Sequence, residues 1–333
     1  MIRGPQRGYL LAGALAALVA AGALTAVTVP TPHPGGDNAA YLSLAHSLVD
    51  GDGYVEAWDP EVGAHTKYPP GFPLLLGALI VAGASTWIAF KLFTAVLVSL
   101  AVLLAFAWTA ERRGPLAGLA VALLTLFSAG WLDASRWILS EPAFLVFTFL
   151  ALWAAERGLG GETRWPEPVS RWVARGRVRR FGWPEPGSRA KATPGGEEAR
   201  TSAGGPGAVP TWIWLILAGG AAIAAFLARS AGLPLVIALG AALLLARRPR
   251  AAVGFGVAVA IPAAWWGLRA RLGGEGAYQD EFWMVNPYEP ELGTVGWTAL
   301  PGRAWTNARL YVGEVLPGEW WGGAAPRCSG SSG

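Results

Sequence analysis

Long apolar runs separated by short basic clusters make up most of this chain, with one polar stretch near the start and another in the middle. Residues 9–29 form an uncharged run behind Arg3 and Arg7. A-G-A at Ala21 to Ala23 imitates a signal cleavage site. A signal core is only about 7–15 residues, however, and this run is long enough to span, so it predicts a first transmembrane helix with a cytoplasmic amino end. Residues 72–84 are also apolar. Counting them as a crossing would throw the basic clusters onto opposite sides. An interfacial segment instead leaves one span over about 86–110, ending at Glu111-Arg112-Arg113, with every later cluster inside. The interfacial reading follows, and Lys91 is expected near the outer end of that span with its stem reaching the headgroups. Alternation then predicts spans over about 115–132, 138–155, 211–227, 232–246 and 251–268, about seven in all. Arg247, Arg248 and Arg250 fall inside, and Trp131, Trp137, Trp265 and Trp266 approach the outer face, as interfacial tryptophans do.

The expected fold is an all-α polytopic membrane protein. An amino-terminal membrane module over 1–156 carries a first outer loop at 30–85 with interfacial helices. A basic loop over 157–210, further spans over 211–268 and an extracytoplasmic tail over 269–333 follow. In the 157–210 loop W-P-E-P-V-S-R recurs as W-P-E-P-G-S-R. That loop lacks the apolar content to offset its ordering entropy and reads as disordered and cytoplasmic.

Composition narrows the function. Only 14% of the 333 residues are charged, against about 25% in soluble domains, so the membrane assignment stands. The net charge of +4 could suggest nucleic acid, but the basic residues follow the positive-inside pattern, which excludes that partner. A single cysteine, Cys328, rules out an intramolecular disulfide and a cysteine zinc site. Three histidines, His33, His46 and His65, are too few for a histidine-rich metal centre.

Candidate chemistry gathers in the first outer loop. Asp37 precedes a helical segment in which Tyr41, Leu44, Ala45 and Leu48 share one face. It suits an N-cap, and at the mouth of an apolar bundle it is also a partly desolvated proton acceptor. Glu141, in W-I-L-S-E-P, opens the fourth span; either Ser140 or Glu141 simply caps that helix, or Glu141 pairs with Asp37 across one outer cavity. Asp133 and Arg136 read as an interfacial ion pair. In K-Y-P-P-G-F-P the prolines set φ, Gly71 permits a sharp reversal, and Lys67 stands at headgroup level where it could meet a lipid phosphate. D-G-D-G at Asp50 to Gly53 reads as a turn, because Val55 occupies the position where a calcium loop needs glycine. Arg229, Arg269 and Arg271, with Tyr278, Tyr288, Arg303 and Arg309 beyond them, either snorkel singly or converge as a phosphate clamp.

These motifs come in a particular order: D-N-x-x-Y-L-x-L-A, then Y-P-P-G-F-P-L-L-L, L-S-E-P, R-S-x-G-L and P-x-x-W-W-x-L-R. Over residues 9–288, without the 157–210 insert, the chain resembles the GT-C membrane glycosyltransferases. Within them it is most similar to the bacterial branch related to protein O-mannosyltransferases and aminoarabinose transferases (glycosyltransferase family 39). The resemblance implies that Asp37 is the catalytic carboxylate and Glu141 a second acidic site residue. It further implies a substrate site formed by Tyr41, Lys67, Tyr68, Arg229, Arg269 and Tyr288. Many relatives have Asp-Glu where this chain has Asp37-Asn38, and Lys67 lies one residue ahead of the family's lipid-contacting lysine. Relatives usually have more spans and a longer carboxyl-terminal part, so the resemblance also implies a truncated member. The implied reaction moves a sugar from a polyprenyl-phosphate donor to a lipid, glycan or protein acceptor at the extracytoplasmic face of the cell membrane, with inversion. A divalent metal beside Asp37 and Glu141 is left open, since two carboxylates are too few ligands to predict one. The rival expectations are a lipid or sugar flippase and a non-catalytic membrane partner.

Overall fold

The structure, a computed structural model, describes residues 4–32, 37–60, 63–128, 130, 132, 136–159, 209–272, 281–286 and 289–315. His33, Trp131, Asp133, Tyr278, Tyr288, Cys328 and both W-P-E-P stretches lie outside these residues. Helices carry the described fold: α1 (Gly4–Val27), α2 (Asn38–Asp50), α3 (Gly71–Val81), α4 (Trp87–Arg113) and α5 (Pro115–Leu126). They continue as α6 (Glu141–Gly158), α7 (Thr211–Ala228), α8 (Leu233–Leu245), α9 (Pro249–Leu272) and α10 (Leu300–Leu310). Extended pairing among the described residues is limited to two isolated bridges, Val55 with Ala64 and Met284 with Thr294.

Trp87–Arg113, Thr211–Ala228 and Pro249–Arg269 are long and apolar enough to cross a membrane. Their outward surfaces fit that medium: Ile216 is 64% and Ile261 69% exposed, and the apolar window of α9 has 0% of its residues buried within the protein. Water would penalise such faces, whereas lipid does not. The 11 residues of α3 rise only about 16 Å, roughly half the hydrocarbon core, so α3 alone does not cross. Several expected boundaries shift: α1 runs over Gly4–Val27 rather than 9–29, α4 continues to Arg113, α6 begins at Glu141 rather than 138, and α9 covers Pro249–Leu272. α5 is regular only to Leu126, short of 132. α6 continues through Arg157 to Gly158, beyond the loop start expected at 157.

Packing follows small residues at helical spacing. Ala16, Ala20 and Leu24 of α1 meet Val98, Val102 and Phe106 of α4 and Leu126 of α5. Ala151 and Ala154 of α6 meet Ala218, Ala221 and Ala222 of α7, letting the backbones approach closely. Above these, Tyr41, Leu44 and Ala45 of α2 bury against Phe72 and Leu76 of α3, Phe90 of α4, and Ile138 and Val146. Asp37 makes no side-chain cap on α2, contrary to the N-cap expectation. Burial holds that helix instead, at about 1.5–3 kcal/mol per large apolar side chain against about 1 for a cap.

Gly51, at φ +91°, closes α2 in the left-handed conformation and opens the D-G-D-G turn, as its sequence predicts. Gly71 has a different role from the reversal expected of it. It lies inside the first turn of α3, and a Cβ there would come within 2.6 Å of the Leu227 carbonyl carbon and oxygen. Glycine is therefore needed for the loop to press directly on the end of α7.

Lys91 also departs from expectation. It is 0% exposed and donates Nζ to the carbonyl oxygens of Val29 at 3.0 Å and Thr31 at 2.6 Å, tying the chain after α1 to α4. At the opposite end, α4 and α6 each carry W-x-x-E-R, as Trp108, Glu111, Arg112 and as Trp153, Glu156, Arg157. Trp108 Nε1 donates to Glu156 at 2.8 Å and Trp153 Nε1 to Glu111 at 2.9 Å. Arg112 meets Glu156 at 2.6 Å, and Arg157 pairs with Glu111. α4 and α6 thus exchange equivalent side-chain contacts near their carboxyl ends. Arg248, ahead of α9, donates to Gly158 O at 3.0 Å beside them.

Candidate functional site

The loop after α1 is shaped by backbone pairing. Val55 bridges Ala64, His65 N donates to Tyr54 O at 3.1 Å, and Glu56 N to Gly63 O at 2.9 Å. The resulting hairpin brings Glu56 to His65, and the turn that follows delivers Tyr68. Tyr68 Oη donates to Asp37 Oδ1 at 2.7 Å, and the Tyr68 ring lies 4.9 Å from that of Tyr41. Among the described residues, Tyr68 is the one hydrogen-bond partner of the Asp37 side chain. The carboxylate is thereby aimed while its other oxygen stays available.

Tyr41 sits between two charged groups of residues. Its hydroxyl shares a 3.0 Å hydrogen bond with Ser140 Oγ, and Arg229 Nη1 donates to the same Oγ at 3.3 Å. Burial pushes the Tyr41 phenol well above its ordinary range; the Ser140 hydrogen bond opposes this, Asp37 adds to it, Arg229 opposes and Glu141 adds. The phenol is therefore a neutral hydrogen-bonding group that feels Asp37, Glu141 and Arg229 together. Asn38 is 1% exposed and accepts from Ile138 N at 2.6 Å, joining the start of α2 to the approach to α6.

Several expected pairings are replaced by others. Glu141 pairs with Arg229 at 2.7 Å rather than with Asp37, and its buried Oε2 has no hydrogen-bond partner. Ser140 does not cap α6 through its side chain. Lys67 pairs with Glu281 at 2.7 Å rather than standing as a lone headgroup contact. Arg269 is spent on backbone: Nε donates to His65 O at 3.2 Å and Nη2 to Tyr54 O, with the guanidinium 5.6 Å from the Tyr54 ring. It clips the hairpin to the end of α9 and shares none of the hydrogen-bond or ion-pair partners of Arg229. Both Arg229 contacts use Nη1, which leaves Nε and Nη2 as donors. Asp37, Tyr41, Tyr68, Glu141 and Arg229 thus come together, whereas Lys67 and Arg269 brace the loop. Tyr288 lies outside the described residues. No three His, Cys, Asp or Glu side chains gather, among the described residues, into a set that could hold a metal ion.

Reading the sequence missed Asn38, Ser140, Tyr54, Glu56 and His65. Asn38 left a signal, since it shares the buried face of α2 with Tyr41 and Ala45 at helical spacing. Glu56 and His65 are nine residues apart and left none, because only the hairpin joins them.

No protein-family model, curated protein or solved structure matches this chain.

Proposed function

We propose that the chain is a multi-pass membrane glycosyltransferase of the GT-C type, moving a sugar from a polyprenyl-phosphate donor to an acceptor at the extracytoplasmic face. The observation behind this reading is the Asp37 carboxylate, aimed by Tyr68 at a bundle end that also presents Arg229 with free N–H donors. Asp37 would take the proton from the acceptor hydroxyl or amine as that atom attacks the anomeric carbon. The bond from that carbon to the phosphate oxygen breaks, and the polyprenyl phosphate leaves with the electron pair. Arg229 would stabilise the departing charge through the donors that Glu141 and Ser140 leave unused. A single displacement inverts the anomeric centre.

A non-catalytic membrane partner is the second reading. It is favoured by the pairing of Glu141, Arg229, Lys67 and Arg269 within the chain itself. Transfer from radiolabelled polyprenyl-phosphate sugars, in membranes containing the chain or its Asp37→Asn variant, separates the two. The enzyme reading expects Asp37→Asn to lower transfer by about 10²–10⁴-fold, the usual contribution of a general base, with insertion unchanged. Transfer equal in both, or absent from a correctly inserted chain, would favour the partner.

A further inference from the structure

We propose that His65, held by Glu56, is a positioning residue for the Asp37 site: its neutral imidazole seats Tyr68, and Tyr68 aims Asp37. The part concerning Asp37 rests on the function proposed above, whereas the seating of Tyr68 stands on geometry alone.

The hydrogen bonds settle the tautomer. The Tyr68 backbone N–H points at His65 Nε2 from 2.8 Å, so Nε2 carries the lone pair. The ring proton is then on Nδ1, which donates to Glu56 Oε1 at 2.7 Å. With Nε2 occupied, His65 cannot serve as a base or a metal ligand, and its effect passes through Tyr68. The imidazole is 2% exposed and stacks on the Tyr68 ring at 5.1 Å, with Tyr54 edge-on at 5.4 Å and Trp58 at 5.8 Å. Tyr54 Oη donates to Tyr68 O at 2.8 Å. Tyr68 is thus gripped at its amide, its carbonyl and its ring, and the group left to act is the hydroxyl on Asp37.

Protonation would undo the grip, since a proton on Nε2 sets two N–H donors against each other across 2.8 Å. The groups around the ring are Glu56 and Tyr54 of the hairpin, Lys67 and Tyr68 of the following turn, Arg269 of α9 and, beyond Lys67, Glu281. Asp59 lies in the loop of the hairpin, its amide bonded to Glu56 O at 2.9 Å. Burial holds the imidazole below its ordinary value of about 6.5; Glu56 opposes this, and Arg269 and Lys67 reinforce it. A lowered folded value means the stabilisation is fully present above about pH 6.5. It declines as pH drops below that and is lost as pH passes the folded value.

The test is hydrogen exchange by mass spectrometry on the full chain in nanodiscs, over residues 65–68 between pH 5 and 8 and corrected for intrinsic rates. Wild type should lose protection about tenfold as pH falls from about 6.5 toward 5, because the opened form takes up the proton that the folded imidazole resists. His65→Gln keeps one donor and one acceptor without titrating, and should stay protected at every pH. His65→Phe should be unprotected throughout. Wild-type protection that does not change with pH, or His65→Gln behaving as His65→Phe, overturns the proposal. In the transfer assay, His65→Phe should lower kcat at constant KM, and His65→Gln should restore it. If Asp37→Asn leaves transfer intact, the proposed function fails, while the exchange result still decides the role of His65.

Discussion

Lys91 shows what a single residue can hide. A lysine near a helix end in a membrane chain snorkels by default, and the sequence supports nothing more specific. Its burial follows from the chain after α1 presenting two carbonyls, Val29 O and Thr31 O, where the ammonium can reach them. Lys91→Met keeps the stem but leaves both carbonyls without that donor, at about 1–3 kcal/mol for an unsatisfied buried group. The expected outcome is a clearly lower thermal midpoint in detergent. A midpoint equal to wild type would show that other donors replace the ammonium. Asp37 is the opposite case. Its position in an early polar loop singled it out, yet its side chain answers to Tyr68 rather than to the helix it precedes.

Among the elements, α4 and α6 are joined by their repeated W-x-x-E-R. Each glutamate lies in the last turns of its own helix, facing the negative end of that dipole. The arginine and tryptophan of the other helix compensate, which is why the exchange is reciprocal. Glu111 and Arg157 are 41% and 38% exposed, so screening keeps their pairing within about 1 kcal/mol. A double-mutant cycle with Glu111→Gln and Arg157→Gln should give a coupling of about 0.5–1 kcal/mol. Additive single effects would mean that the pair adds nothing to the tryptophan contacts. The repeat was present in the sequence, but its meaning required knowing that α4 and α6 lie side by side. Gly71 is similar: sequence marks it as special, and only the Leu227 backbone beside it explains why.

At the scale of the molecule the charged networks separate to two ends. Asp37, Glu141, Arg229 and Arg269 collect where α2 begins, α6 begins and α7 and α9 end. Glu111, Glu156, Arg112, Arg157 and Arg248 collect where α4 and α6 end and α9 begins. The basic clusters of the sequence predict that the second end is the cytoplasmic one. In a Cys328→Ser background, a membrane-impermeant maleimide should label Asp52→Cys in intact cells and Arg113→Cys only after permeabilisation. Labelling of both from one side would overturn the proposed orientation.

The sequence by itself determined a helical chain with lipid-compatible segments, and it singled out the early polar loop, because hydropathy and periodicity are local properties. Three helices long and apolar enough to span carry that reading into the structure. Tertiary structure alone decided which partner each charge has. Asp37 meets Tyr68, Glu141 meets Arg229 and His65 meets Glu56 across 31, 88 and 9 residues, and all three depend on packing that no local pattern encodes. A half-buried polar group at a bundle end takes whichever donor or acceptor the packed backbone brings within about 3 Å, and sequence separation does not limit that choice.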